Sequence, residues 1–268
     1  METVHVLSTV RFDDEQLALL RAVSPRLRLV QHTVQDIDAL PPQLWPKVEV
    51  LCTFWALPKP DQAPNLRWVQ LLSAGADHAM AHPGLGPDVR VTTTSGIHAI
   101  NIGEYVLMLM LAWGHHLPAL LDHQRRKVWP EGRFNLFAPQ ELRGATLGIV
   151  GYGSIGREVG RLGCAFGMRV LALRRGSDPA DHGYVIPAVG DPQGWIPASF
   201  YQPRELRTML SECDYVVLTV PLTKATRHLI GVDELRAMKS TAFLVNVSRG
   251  GVVDDTALVQ ALQEGWIA

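Results

Sequence analysis

The stretch LGIVGYGSIGREVGRLGCAFGMRVLALRRGSD, from Leu147 to Asp178, constrains the fold more than any other part of the chain. An apolar run, TLGIV, meets a turn containing Gly151, Gly153 and Gly156; an amphipathic helical pattern follows, then a second apolar run, MRVLALRR. A bare GxGxxG is weak evidence, since a turn may simply need glycine. Strand, turn, helix and strand in this order point to a dinucleotide. Gly151 permits the tight turn, Gly153 lets backbone approach a pyrophosphate, and Gly156 lets helix and strand pack closely. Tyr152, Ser154 and Ile155 complete the turn, whose N–H groups and positive helix end receive phosphate oxygens. Where the second run ends, an acid would accept a hydrogen bond from the 2′-hydroxyl of NAD. Arg174 stands there instead, with Arg175 beside it, and a guanidinium suits the 2′-phosphate of NADP. NADP is therefore the favoured cofactor and NAD the alternative. The bland reading is a solvated arginine at a strand end.

The rest of the chain alternates in the same way. VHVLST at 4–9, RLRLVQH, VEVLCTF, LRWVQLL and VRVTTT read as strands, and DDEQLALLRAV as a capped helix, so the first hundred residues predict a parallel α/β unit. A long helix is expected over about 98–118, ending before Pro118, followed by an Arg- and aromatic-rich surface connection. After the glycine turn, LRTMLSEC, DYVVLTVP, VDELRAMKS, TAFLVNVSRG and DTALVQALQEG alternate helix and strand. The expected fold is α/β: a Rossmann-like doubly wound parallel sheet plus a flavodoxin-like parallel α/β substrate domain. Its parts would be 1–97, a linking helix at 98–118, and a dinucleotide domain over 119–268. Residues 176–204, dense in Pro and Gly, break the rhythm and read as solvated decoration, or else as a lid or partner surface.

Composition narrows the function. With 25 basic and 26 acidic residues, nothing points to nucleic acid or an anionic membrane. Cys52, Cys164 and Cys213 form no zinc or CxxC pattern; they read as small buried hydrophobes in a reducing compartment, and no metal is expected. The N-terminus lacks a signal-peptide pattern, and IGEYVLMLMLAW is too short to span a bilayer, so a soluble, cytoplasmic protein is expected.

LLSAGADH, NIGEYVLMLML, ELRGATLGIVGYGSIG, CDYVVLTVPLTKATRHLIG and LRAMKSTAFLVNVSRGGVVDDTALVQAL occur in that order over nearly the whole chain. Together they resemble the D-isomer-specific 2-hydroxyacid dehydrogenases, the group that includes glyoxylate/hydroxypyruvate reductases. The resemblance implies hydride transfer between nicotinamide C4 and C2 of a small 2-oxo or 2-hydroxy acid, in a cleft between substrate and nucleotide domains. Glyoxylate and hydroxypyruvate are the candidate substrates. It places the substrate arginine at Arg249, just beyond an apolar strand, where a guanidinium would hold a carboxylate and polarise the 2-oxo group. A surface arginine capping a turn is the alternative. Gly75 and Ala76 match the loop whose N–H groups hold the same carboxylate, with Asp77 anchoring it. Val220, Pro221 and Thr226 match positions lining nicotinamide and pyrophosphate. A homodimer is implied, and the run VLMLMLAWGHHL is apolar enough for one, unless its extra face is buried between domains.

Two departures stand out. His98 occupies a position where many relatives have Asn; it reads as a substrate contact or as a local helix-start residue. The chain ends at ALQEGWIA, and the Asp, Glu and His that relatives carry further on cannot be assigned; His115, His116, His182 and His228 do not match. A longer native chain is the expectation. Short-chain dehydrogenases fit poorly, since their glycine motif opens the chain and no tyrosine here has the required Lys four residues on. A non-catalytic NAD(P)-binding sensor or scaffold is the remaining alternative. Trp113, Trp129 and Phe134 would shape either a pocket or a domain or subunit contact.

Overall fold

The computed structural model describes residues 3–34, 36–181, 183 and 185–268, so His182 and Tyr184 of the expected loop lie outside the described residues. The chain divides into two compact units, Met1–Ser95 and Gly96–Ala268. In the first, β1 (Val4–Ser8), α1 (Asp14–Ala22), β2 (Leu27–Gln31), β3 (Val50–Thr53), β4 (Trp68–Leu71) and β5 (Arg90–Thr92) follow one another. The five strands are parallel in the order β2-β1-β3-β4-β5, the flavodoxin-like arrangement. Helix α1 starts where Asp13 accepts from the Gln16 N–H at 2.8 Å, while the Gln16 side chain accepts from the Asp13 N–H at 3.1 Å. Leu7, Leu51, Val69 and Leu71 of the strands close around the fully buried Trp45.

The second unit runs α2 (Ala99–Gly114), α3 (Leu117–Arg126), α4 (Arg133–Leu136), β6 (Thr146–Val150), α5 (Ser154–Ala165), β7 (Arg169–Leu173), β8 (Ser199–Tyr201), α6 (Leu206–Glu212), β9 (Tyr215–Leu218), α7 (Val232–Ala237), β10 (Phe243–Asn246) and α8 (Asp255–Glu264). Its strands are also all parallel, in the order β10-β9-β6-β7-β8, which places β6 at the topological switch of a Rossmann-like sheet. The continuous apolar runs of β6 and β9 are explained by burial on both faces. Val150, Leu171, Leu173, Val216 and Leu218 meet residues of α6, α7 and α8. Leu147, Ile149, Val170, Ala172 and Val217 face the other way, onto α2 and α5. There α2 and α5 approach closely because Gly103 has no side chain: a Cβ would lie 2.9 Å from Glu158 Cγ.

Three expectations are corrected. The helix over 98–118 is two helices: α2 ends at Gly114, His116 turns the chain at φ +54°, and Pro118 lies in the first turn of α3. Proline lacks the N–H that a first turn leaves unbonded anyway, so it starts this helix rather than stopping the previous one. The segment 176–204 is solvated only in part: residues 176–179 and Trp195 are exposed, but Asp191 is buried and Ser199–Tyr201 form edge strand β8. Of the cysteines only Cys213 is buried; Cys164 is exposed, at the end of α5. Among the described residues no helix is long and apolar enough to cross a membrane.

Candidate functional site

The glycine turn leaves the carboxyl end of β6 and enters α5 directly. Gly151 has φ +102°, and a Cβ on it would meet Val220 Cγ1 at 2.8 Å and Val220 N at 3.0 Å, so only glycine is accommodated without strain. A Cβ on Gly156 would lie 2.3 Å from the Gly151 carbonyl oxygen, which makes its hydrogen the spacer between helix and turn. Gly153, at φ −89° and ψ −163°, caps α5 without a side chain and has nothing within 4 Å of where a Cβ would sit. The first intrahelical bond runs from the Arg157 N–H to the Gly153 carbonyl at 2.8 Å. The N–H groups before it are free of intrahelical partners, and no acid in the first turn repels an anion. Open space over Gly153, at a helix N-terminus, is what a pyrophosphate requires.

Neighbouring strand ends supply the other candidates. Thr219, just past β9, donates to the Gly151 carbonyl at 2.5 Å, tying the turn to the loop that carries Val220 and Pro221. That loop is folded on itself: the Thr226 hydroxyl donates to the Pro221 carbonyl at 2.6 Å and accepts from the Thr223 N–H at 2.8 Å. Arg174, one residue past β7, donates through Nε to the Gly176 carbonyl at 3.0 Å and lies 4.9 Å over the Phe200 ring. Its Nη2 is buried without a hydrogen-bond partner. Burial and the neighbouring Arg157 guanidinium hold Arg174 below the ordinary arginine range, while Asp178 opposes them. Arg175 is exposed.

Beyond β10, Arg249 precedes the 3-10 turn Gly250–Val252 in extended backbone, with Nη1 donating to the Ser248 carbonyl at 2.9 Å. Its own carbonyl accepts from Asn246 Nδ2 at 3.0 Å. Thus the structure gathers the glycine turn, Val220, Pro221, Thr226, Arg174 and Arg249 along the carboxyl ends of four adjacent strands, where parallel sheets bind ligands. His98 directly precedes α2, and its side chain makes no capping bond. In the first unit, Gly75 and Ala76 lie in the turn after β4; the Ser73 hydroxyl donates to the Gly75 carbonyl at 2.8 Å, and the Ala76 carbonyl accepts from the N–H groups of Ala79 and Met80.

Tyr152 behaves differently from its place in the motif. Its side chain is 5% exposed, turned down against Phe200, with the hydroxyl donating to Asp191 at 2.8 Å. Burial and that carboxylate push the phenol well above its ordinary range. Only its backbone is left to line the turn. Sequence reasoning missed Asp191, Arg157 and Thr219. Thr219 follows an apolar strand, a detectable signal, but nothing local marks Asp191, which sits 39 residues from its partner.

A family model for "D-isomer specific 2-hydroxyacid dehydrogenase, NAD binding domain" matches residues 107–268. A glyoxylate reductase from Thermococcus gammatolerans is 35% identical over 250 residues, covering 91% of this chain and 68% of its own. The chain belongs to the D-isomer specific 2-hydroxyacid dehydrogenase family. It carries the nucleotide-binding domain of an NAD(P)-dependent 2-hydroxyacid oxidoreductase, and it spans about two thirds of the length of the glyoxylate reductases it matches. Among solved structures of the family, D-lactate dehydrogenase from Aquifex aeolicus, complexed with NAD and lactic acid, superposes with TM-score 0.73 at 25% identity, covering 98% of this chain and 74% of that one. The enzyme from Xanthobacter autotrophicus, in complex with NADPH and MES, gives TM-score 0.74 at 25% identity over 100% of this chain and 79% of that one. Both nicotinamide cofactors therefore occur among its structural neighbours.

Proposed function

We propose that the protein reduces a small 2-oxo acid, such as glyoxylate or hydroxypyruvate, to the D-2-hydroxy acid, using NADPH in preference to NADH. The observation that carries this reading is the cradle over Gly153 at the head of α5, set beside a strand-end arginine instead of an acid. Reduced nicotinamide would supply the hydride for C2 of the acid, and a general acid would supply the proton for the oxygen on C2. The N–H groups that follow Gly151 in the turn, up to Gly156, would hold the pyrophosphate, and Val220, Pro221 and Thr226 would shape the neighbouring wall. Arg174 has donor capacity to spare at Nη2, and Arg175 adds positive charge where a 2′-phosphate would sit. Arg249 would pair with the substrate carboxylate and stabilise charge developing on the 2-oxo oxygen. The resemblance supports Gly75 and Ala76 as further substrate contacts, and His98, in place of the relatives' Asn, would add an imidazole to them. Membership of a family of reductases and dehydrogenases disfavours a non-catalytic sensor.

A homodimer is also proposed. Tyr105 and Met108 on α2 are each 51% exposed, and Trp129 and Phe134 each 81%. The last two border a largely apolar hollow of about 670 Å³ with Leu120, Val128 and Phe137. Loss of absorbance at 340 nm when the full-length protein meets NADPH and glyoxylate or hydroxypyruvate tests the activity. Absence of turnover with either acid and either reduced cofactor overturns it.

A further inference from the structure

The connection between β7 and β8 is built into the base of the glycine turn. Asp191, 6% exposed, gathers three donors: the Tyr152 hydroxyl at 2.8 Å, the Trp195 N–H at 3.0 Å and the Ile196 N–H at 3.0 Å. Arg157, 4% exposed in the first turn of α5, donates to the Asp191 carbonyl at 2.5 Å and to the Pro179 carbonyl at 2.7 Å, and pairs with Asp181 at 3.4 Å. One residue on, Glu158 accepts from the Gly190 N–H at 2.6 Å. The loop folds tightly to make these bonds: Gly194 has φ +72°, and a Cβ there would lie 2.5 Å from the Pro179 carbonyl oxygen. Val185, Ile186 and Val189 complete the contact, closing a hollow of water size against Ser154, Arg157 and Ala99.

Burying a carboxylate and a guanidinium is costly unless they find partners; Asp191 takes three donors, and Arg157 places Nη1 and Nη2 on carbonyls and leaves Nε to the longer ion pair with Asp181, which holds these residues in one geometry. The residues held are Tyr152, Arg157 and Glu158, which interleave with and follow the three glycines of the turn. We propose that residues 179–181 and 185–196 form a clasp that presets the glycine turn for a pyrophosphate, with Asp191 acting through the Tyr152 hydroxyl as a positioning residue. The proposal rests on the nucleotide-binding reading of the turn and on no particular substrate. It assigns the loop a task that a mere strand connection lacks. Loosening the clasp lowers affinity for ligands bearing a pyrophosphate and spares ligands that reach only the adenosine end.

The test compares wild type with Tyr152→Phe, Asp191→Asn and the double variant by equilibrium binding of ADP-ribose and of adenosine 2′-monophosphate, with thermal melting alongside. Tyr152→Phe keeps the ring packing and removes one hydroxyl, so it folds even if the Asp191 variant does not. Each single change is expected to weaken ADP-ribose about three- to tenfold, the scale of one buried hydrogen bond. The double variant should lose no more than the worse single, because both break one link. Adenosine 2′-monophosphate should bind unchanged. A lowered melting temperature with unchanged ADP-ribose affinity makes the loop purely structural and overturns the proposal, as does equal loss for both ligands. A wild type that binds neither ligand overturns the nucleotide reading and the clasp with it, whereas ligand binding without turnover overturns only the proposed activity.

Discussion

Gly153 and Gly156 lie three residues apart, and a methyl group added to either should weaken nucleotide binding, but only the one on Gly156 should also lower stability. In Gly156→Ala the new Cβ lies 2.3 Å from the Gly151 carbonyl oxygen, 2.9 Å from Ile149 Cγ2 and 3.2 Å from Thr219 Oγ1. The nearest of these is backbone, so no rotamer change relieves it; α5 must shift by roughly 1 Å from the turn, an overpacking that costs about 1–3 kcal/mol. That shift also moves the helix N-terminus, so stability and nucleotide affinity fall together. In Gly153→Ala the methyl meets nothing within 4 Å, and the backbone is already in a region open to alanine. Stability should stay within about 0.5 kcal/mol of wild type, or rise slightly as the unfolded chain loses freedom. The methyl occupies the space through which a pyrophosphate would approach, and NADPH affinity should fall by about tenfold or more, the scale of one charged hydrogen bond. Urea unfolding and NADPH fluorescence titration on both variants read the two quantities separately. Wild-type NADPH affinity in Gly153→Ala, or undiminished stability in Gly156→Ala, would refute the reasoning.

Arg174→Asp should weaken NADPH by about tenfold or more, as expected for one charged hydrogen bond, and shift preference toward NADH in parallel titrations at fixed ionic strength; equal affinities for both cofactors in wild type would make the arginines ordinary surface charge. Arg249→Ala should lower kcat/KM for the 2-oxo acid by about a hundredfold, with NADPH affinity unchanged; steady-state kinetics showing no loss would remove its substrate role. Glu212 accepts from the Tyr201 hydroxyl at 2.5 Å and from Arg169 at 2.9 Å, which hold its carboxyl below the ordinary value of 4.5. Its contribution is present above that value and lost as pH falls through the lowered one, so Glu212→Gln should be less stable than wild type at neutral pH, with the gap closing in acid. Denaturant midpoints across that range check it, and a constant gap would contradict it. Sedimentation at micromolar concentration should show twice the chain mass, and a clean monomer would reject the dimer.

Local pattern carried a great deal. The apolar run TLGIV, the spacing of Gly151, Gly153 and Gly156 and the following amphipathic helix are short-range features whose backbone demands allow one arrangement, so the turn and its helix are legible in the amino-acid order alone. The alternation of strands and helices likewise announced two parallel sheets, because each strand buried on both faces must be apolar throughout, as β6 and β9 are. Pro118 misled because proline has two local meanings, helix stop and first-turn residue, and only the turn at His116 decides between them. The 176–204 loop misled for a different reason: Asp191 and Arg157 are polar and look solvated in sequence. Their burial is settled by partners 22 to 39 residues away. Tyr152 shows both sides in one residue, its place in the motif determined locally and the direction of its side chain decided by Asp191 and Phe200. Hydrogen bonds and close packing between distant segments leave no periodic trace in the chain, and only the folded sheet brings such partners together.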